Sequence, residues 1–206
     1  MLEHRGSVFV LSAPSGAGKS TLARRLVRET EGLIFSISTT TRPPRPGEME
    51  GQDYFFVDDA HFDALVADGG FVEWVQVYAH RYGTGKAWLE RTLASGVDVL
   101  LDIETTGALN IHKAIPDAVM IFLLPPSAEE LERRLRGRGS DAEAQISLRM
   151  KNARHEMQLF EAYDYLIVND DLERAYRQLS SVVLAARAQR ERMIGAAGRI
   201  LDSFGA

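Results

Sequence analysis

Short apolar runs that end at turn residues alternate along this chain with segments whose apolar residues recur at helical spacing. The apolar runs are each the length of one strand and lie at Ser7 to Ser12, Val97 to Ile103, Val119 to Leu124 and Tyr165 to Val168. A helix is predicted from about Lys19 to Thr30, because its apolar residues share one side at i, i+4 spacing. This alternation is typical of an α/β protein with a mostly parallel sheet.

The stretch from about Ile34 to Gly85 follows a different pattern, in which short β-like pieces are separated by turn residues. The pieces predicted here are strands at Phe35 to Thr39, Tyr54 to Val57 and Phe71 to Val77, turns at Pro43 to Gly47, and a helix near Ala60 to Asp68. We interpret this stretch as a domain inserted into the α/β core.

The α/β pattern resumes after the insertion. A helix is predicted near Ala87 to Ser95, and an arginine-rich helical segment at Ala128 to Lys151 is interrupted by Gly137 and Gly139. The last stretch, from about Asp171, is predicted to be a helix that packs back on the core.

Composition narrows the function classes. The chain has 206 residues, of which 45% are hydrophobic, which fits one domain with insertions. Its net charge of -5 argues against a nucleic-acid partner, and its strand-sized apolar runs argue against a membrane partner. The absence of cysteine excludes disulfides and thiolate chemistry. Since no signal-peptide core follows the N-terminus, a cytoplasmic location is expected.

The segment Ser12 to Thr21, SAPSGAGKST, lies between a predicted strand and a predicted helix. In that context its glycines let successive backbone N–H groups converge on a phosphate, and the helix N-terminus adds its positive dipole end. Lys19 is predicted to reach the β- and γ-phosphates of a nucleotide, and Ser20 to ligate Mg²⁺. The strict pattern has glycine at the position of Ala13, which matters little if Gly16 and Gly18 set the curvature of the loop.

Two further groups of charged residues are candidates for a site. Arg42 and Arg45 lie in a segment stiffened by prolines, so that their guanidinium groups are held towards one phosphate or, alternatively, are solvated loop charges. Asp102 and Glu104 end a buried strand, and strand alternation points both carboxylates to one face at its carboxyl end. The alternative for this pair is two exposed acids.

These motifs resemble the guanylate kinase family. The resemblance is carried by SISTTTRPPRPGE (36–48) and GQDYFF (51–56), and continues through FVEW, RYGT, VLLDIE, RRLRGRG and YLIVND. It implies a P-loop nucleoside monophosphate kinase with a parallel-sheet core, an inserted GMP-binding domain and a helical lid. The single unit 1–206 would then divide into a core of 1–35, 86–126 and 152–206, a GMP-binding insertion at 36–85 and a lid at 127–151.

The resemblance also implies the activity, which is transfer of the γ-phosphoryl group from ATP to GMP, with dGMP as a further substrate, in purine nucleotide metabolism. Mg²⁺ is the implied cofactor, held by Ser20 and, through water, by Asp102. The implied ATP-binding residues are Ala13, Pro14, Ser15, Gly16, Ala17, Gly18, Lys19, Ser20, Thr21 and Asn169. The implied GMP-binding residues are Ser38, Arg42, Arg45, Tyr54, Glu73, Tyr82, Thr84 and Glu104.

The implied roles agree with the chemistry of guanine and of phosphoryl transfer. Guanine offers two donors, N1–H and the N2 amino group, which call for a carboxylate. Phosphoryl transfer is stabilised by positioned cations, and the implied catalytic residues are Lys19, Arg42, Arg134, Arg138 and Arg149. Glu104, Thr105 and Thr106 depart from the commonest family pattern, which puts the fine geometry there in doubt.

Two other interpretations remain open at this point. A related kinase of a phosphorylated ribose would keep the phosphate loop and lid but would not need the guanine carboxylates. A non-catalytic binding module of the same fold would have no need of the phosphate loop and lid arginines, which this chain has. The sequence leaves open whether the protein is a monomer or a homo-oligomer.

Overall fold

A computed structural model describes residues 5–77, 79–137 and 142–205 of the chain. Its larger sheet has the order β2-β7-β1-β8-β9, and every pair of neighbours in it is parallel. A smaller sheet has the order β4-β3-β6-β5. The strands are β1 (Val8–Ser12), β2 (Leu33–Phe35), β3 (Ser38–Thr40), β4 (Tyr54–Phe56), β5 (Phe71–Val77), β6 (His80–Gly85), β7 (Asp98–Asp102), β8 (Val119–Leu124) and β9 (Tyr165–Val168).

Helices cover the larger sheet and continue to the C-terminus. They are α1 (Lys19–Glu29), α2 (Asp59–Ala67), α3 (Lys86–Ala94), α4 (Thr105–Ala114), α5 (Ala128–Arg136), α6 (Glu143–Met157), α7 (Leu172–Arg187) and α8 (Arg190–Asp202). Among the described residues, no helix combines the length and the apolar character that a bilayer span requires.

The central strand β1 is buried on both faces, which explains its unbroken apolar sequence. Phe9 and Leu11 pack in one core cluster with residues of α1 and α7, whereas Val8 and Val10 pack in a second cluster with residues of α3 and α4. The prediction of an α/β fold with a parallel sheet is confirmed.

The smaller sheet is built from residues of the predicted insertion. Here the single strand predicted at Phe35 to Thr39 is wrong, because β2 ends at Phe35 in the larger sheet and β3 begins at Ser38 in the smaller one. Both pieces are only three residues long, so periodicity alone does not reveal that the chain passes between sheets at residues 36 and 37. The division into core, insertion and lid stays a prediction.

Helix α4 was not predicted, and it changes how one site residue is placed. Strand β7 ends at Asp102, and Glu104 immediately precedes α4 with its side chain exposed. From the sequence, strand alternation was expected to point the carboxylates of Asp102 and Glu104 to one face. That argument fails, because Glu104 lies outside β7. The arginine-rich segment forms two helices, α5 and α6, and α6 continues to Met157, beyond the predicted lid boundary.

Candidate active site

The phosphate loop joins the carboxyl end of β1 to the N-terminus of α1. Gly16 and Gly18 have φ angles of 96° and 97°, in the left-handed region that favours glycine. At Gly18 an added Cβ would lie 2.4 Å from the side-chain nitrogen of Asn169, so the loop has no room for a larger residue. The curvature of the loop depends on these two glycines, as the sequence analysis expected, and Ala13 stands in place of the usual first glycine.

Lys19 lies at the end of this loop and faces the carboxyl end of the neighbouring strand β7. Its ammonium group forms an ion pair with Asp102 and donates a hydrogen bond of 3.1 Å to the carbonyl oxygen of Ile103. The same carbonyl accepts a hydrogen bond of 3.0 Å from the hydroxyl of Ser12. The fold therefore brings Lys19 and Asp102 together from positions 83 residues apart in the sequence.

The residues predicted to hold Mg²⁺ are oxygen donors at this same edge. Ser20 and Thr21 are exposed in the first turn of α1, and Asp102 is partly exposed beside Lys19. Among the described residues, no group of three or more acidic or histidine side chains is arranged to hold a metal alone. This donor set fits Mg²⁺, which usually binds through one or two protein groups, several waters and substrate phosphates.

Asn169 packs against the phosphate loop at Ala17 and Gly18. This residue follows β9 and is buried, and its side-chain nitrogen donates a hydrogen bond of 2.7 Å to the carbonyl oxygen of Ala17. Arg134 of α5 donates a hydrogen bond of 2.9 Å to the backbone carbonyl of Asn169 and is paired with Glu130 at 2.8 Å. Nη1 of Arg134 also donates a long hydrogen bond of 3.4 Å to the carbonyl oxygen of Ala17, so this guanidinium lies against the loop.

Arg149 of α6 also reaches the phosphate loop. Its Nη1 atom lies 3.4 Å from the hydroxyl oxygen of Ser15, to which it donates a long hydrogen bond. Two of the predicted lid arginines, Arg134 and Arg149, therefore approach one loop from two different helices. The third, Arg138, lies outside the described residues, as does Gly139.

Three of the four predicted acceptor-phosphate residues, Arg42, Tyr54 and Tyr82, meet at the smaller sheet. The guanidinium carbon of Arg42 lies 5.2 Å from the ring centroid of Tyr54, and the rings of Tyr54 and Tyr82 are 6.1 Å apart. Arg42 is only 8% exposed, whereas the side chain of Arg45 is exposed. Contacts with Glu48 first, and with Tyr82 next, raise the pKa of Arg42. Burial is the main reason that the pKa of Tyr54 is raised.

Glu73 and Thr84 form a buried polar pair at the predicted guanine end. They face each other across the antiparallel pairing of β5 with β6, and the Thr84 hydroxyl donates a hydrogen bond of 2.9 Å to Oε1 of Glu73. The second carboxylate oxygen, Oε2, is buried and accepts no hydrogen bond from the protein. Burial raises the pKa of Glu73 to about 7, and the Thr84 contacts only partly offset this. An unpartnered buried acceptor is suited to a ligand that brings its own donors. Ser38 lies on the same sheet, in β3.

Replacing Glu73 by glutamine is expected to stabilise the fold, and only at high pH. Below about pH 4.5 the carboxyl group is protonated in both states; above about pH 7 it is ionised in both, and the folded state bears the full cost of the buried charge. The gain in unfolding free energy should rise from below about 1 kcal/mol at pH 4.5 to about 3 kcal/mol at pH 8. Urea denaturation of both chains at the two pH values measures it, and a gain that does not change with pH would contradict the burial argument.

Two residues at the site were not predicted from the sequence. Glu48 binds Arg42 with both carboxylate oxygens, at 2.7 and 2.9 Å. Gly107 of α4 lies next to Glu73, since a Cβ added at Gly107 would lie 3.3 Å from Glu73 Oε2. A signal for Glu48 was present in the sequence, because this carboxylate follows two arginines in a proline-stiffened loop. Gly107 carried no such signal, since its closeness to Glu73 arises only from packing.

A further buried carboxylate lies near the phosphate loop. Oε2 of Glu156, in α6, is buried without a hydrogen-bond partner. Burial raises the pKa of Glu156, with a smaller contribution from the charge of Glu104, whereas the charge of Lys19 opposes the rise. The carboxylate of Glu156, in the last turn of α6, therefore interacts electrostatically with Lys19 of the phosphate loop.

Comparisons with known proteins agree with this geometry. The family model described as "Guanylate kinase" matches residues 5–186. A guanylate kinase of Sphingopyxis alaskensis is 48% identical over 202 residues, which are 98% of this chain and 92% of that protein. One from Syntrophotalea carbinolica is 48% identical over 98% of this chain and 96% of its own length. The crystal structure of guanylate kinase from Anaplasma phagocytophilum has a TM-score of 0.72 and 36% identity, covering 93% of this chain and 92% of that one. The chain therefore belongs to the guanylate kinase family.

Proposed function

We propose that this chain is an ATP:GMP phosphotransferase, which converts ATP and GMP, and also dGMP, to ADP and the nucleoside diphosphate. The observation that carries the proposal is the buried Glu73, whose Oε2 atom has no hydrogen-bond partner in the protein and whose Oε1 atom is held by Thr84. A carboxylate in this position complements the N1–H and N2 donors of guanine. Adenine has no such pair of donors and would leave the carboxylate unsatisfied, which disfavours it strongly.

The two alternative activities are less well supported. A kinase of a phosphorylated ribose needs no buried carboxylate beyond its phosphate site, and a non-catalytic module needs no lysine in the phosphate loop. Lys19 and Glu73 are both present and both placed by the fold. Every relative reported above is named a guanylate kinase.

In the proposed reaction the ATP phosphates bind at the loop between β1 and α1. Residues 13–21 supply backbone N–H groups and the side chains of Lys19 and Ser20, and Asn169 borders the adenine end. Lys19, which lies beside Asp102, would reach the β- and γ-phosphates of the bound ATP. Ser20, and Asp102 through water, would hold Mg²⁺, which would supply positive charge to neutralise the ATP phosphates.

GMP is proposed to bind with its phosphate at Arg42, Arg45, Tyr54 and Tyr82, and its guanine at Ser38, Glu73, Thr84 and Glu104. An oxygen of the GMP phosphate attacks the γ-phosphorus of ATP, and the bond from that phosphorus to the β,γ-bridging oxygen breaks, releasing ADP. The attacking oxygen is already anionic at neutral pH, so no general base is required. Lys19, Arg42, Arg134, Arg138 and Arg149 are the proposed catalytic cations, which stabilise the charge on the group in transfer.

Residues 127–151, which include α5 and most of α6, are proposed to form the lid. Because Arg134 and Arg149 already touch the phosphate loop, closure would need only small displacements of these side chains. A closed lid excludes water, which otherwise competes for the phosphoryl group. The proposed substrates place the enzyme in purine nucleotide metabolism, with a cytoplasmic location as part of the proposal.

An assay of ADP release, coupled to NADH oxidation, tests the activity. The chain is incubated with ATP and Mg²⁺, and with GMP, dGMP, AMP, CMP, UMP or ribose bisphosphate as single acceptors. Turnover confined to GMP and dGMP is the expected result. Turnover with the ribose bisphosphate alone would support the sugar-phosphate kinase instead, and folded protein that turns over no acceptor would contradict the proposal.

A further inference from the structure

Glu48 joins the two arginines of the proposed acceptor-phosphate site. Its carboxylate accepts hydrogen bonds from Nη2 of Arg42 at 2.7 and 2.9 Å, and from the backbone N–H of Arg45 at 2.7 Å. The Glu48 side chain is only 19% exposed. Contacts with Arg42 first, and with the Arg45 backbone next, lower the pKa of Glu48, so the group is charged at neutral pH.

The other contacts of the Arg42 guanidinium group come from Pro43 and from the surrounding aromatic side chains, including Tyr82. Nη1 donates a hydrogen bond of 2.8 Å to the carbonyl oxygen of Pro43, and the group packs near the rings of Tyr54 and Phe56 at 5.2 and 6.0 Å. The planar guanidinium binds a carboxylate in a defined geometry, so Glu48 sets which N–H groups stay available for a ligand.

The contact with Arg45 is of a different kind, because it involves the backbone. The N–H of Glu48 donates a hydrogen bond of 3.0 Å to the carbonyl oxygen of Arg45, while the carboxylate of Glu48 accepts from the N–H of Arg45. This pair of hydrogen bonds closes the turn at residues 45–48, from which the exposed Arg45 side chain extends. Glu48 thereby fixes the backbone from which the Arg45 side chain extends and the guanidinium group at the end of the Arg42 side chain.

We propose that Glu48 is a positioning residue for the acceptor phosphate, which acts by holding the Arg42 guanidinium and the Arg45 backbone in the arrangement that receives a phosphate monoester. The inference rests on the proposed function, since GMP is the acceptor whose phosphate binds there. Charge alone leads to the opposite expectation, because removing a carboxylate near a phosphate should strengthen phosphate binding. The sign of the effect therefore distinguishes positioning from simple electrostatics.

The test compares the binding of GMP with that of guanosine, which lacks the phosphate, by isothermal titration calorimetry. Glu48→Gln keeps the size of the side chain and one acceptor oxygen, and Glu48→Ala removes both. Glu50→Gln is the matched control, because Glu50 lies in the same loop and its carboxylate accepts a hydrogen bond from the backbone N–H of Phe56. We expect GMP affinity to fall about tenfold in Glu48→Gln and further in Glu48→Ala. Guanosine affinity should stay within about twofold in all variants.

Steady-state kinetics give a second readout. The KM for GMP should rise in Glu48→Gln while the KM for ATP stays unchanged. The rise in the KM for GMP should be smaller when Arg42 is already replaced by lysine, because Glu48 acts through Arg42. Unchanged or tighter GMP binding in Glu48→Gln would overturn the inference, as would an equal loss for guanosine, which indicates general damage to the domain. If the unmodified chain binds guanosine but gains nothing from the phosphate, the proposed acceptor site itself is wrong.

Discussion

A Lys19→Met chain is expected to fold like its parent and to phosphorylate GMP about 10³-fold more slowly. The ammonium of Lys19 is the charged group that the phosphate loop places at the carboxyl end of β7, where it pairs with Asp102. Methionine has nearly the same length but no charge and no donor, so the developing charge on the β- and γ-phosphates loses its stabilisation. The measurement is kcat with saturating ATP and GMP, together with thermal unfolding of both chains.

Lys113→Met is the matched control for this experiment. Lys113 is exposed in the last turn of α4, in a helix that does not contribute to the phosphate loop. Its replacement should leave kcat within about twofold, since surface substitutions rarely matter beyond that scale. A Lys19→Met chain that kept more than a tenth of the parent kcat would show that Lys19 does not act on the phosphates.

The second large effect is expected for the choice of base when Glu73 is replaced by glutamine. The amide offers guanine a donor where the N1–H and N2 groups need an acceptor, so kcat/KM for GMP should fall about 10²-fold. Turnover with AMP should not fall in the same way, because the amide oxygen and NH2 group of glutamine match the N6 donor and N1 acceptor of adenine, so the preference for GMP over AMP should narrow. Competition between GMP and AMP for one enzyme sample measures the ratio directly.

This variant separates activity from stability. The loss of a buried charge stabilises the fold above about pH 7, so Glu73→Gln should be the more stable and less active chain. Glu90→Gln, at an exposed position of α3, should change neither property. Loss of activity accompanied by loss of stability at pH 8 would contradict the assigned role of Glu73.

Much of the fold could be predicted because local patterns carried the information. The continuous apolar residues of β1 predict a strand covered on both faces, and glycines at 16 and 18 predict the turn that needs left-handed backbone. Recognition of the family then assigned roles to residues such as Glu73 and Asn169, which composition and spacing alone do not identify.

Other features depended on contacts between distant segments. The missed helix α4 has only a weak apolar pattern, with small residues such as Gly107 and Ala108 buried against the sheet. Because α4 begins at Thr105, Glu104 lies outside β7. The periodicity of a single strand does not show where that strand ends. Likewise, the change of sheet between Phe35 and Ser38 is decided by which partners the two short strands find.

The sequence by itself determined the phosphate loop, the parallel core and the set of charged residues available for two phosphates, because backbone conformation and burial are read from nearest neighbours along the chain. Only the tertiary structure decided which oxygen of Glu73 stays unpartnered, which carboxylate holds Arg42, and that Asn169 closes the loop at Gly18. Those facts are distances between side chains from separate elements. They follow from how the elements pack, and packing is a property of the whole chain.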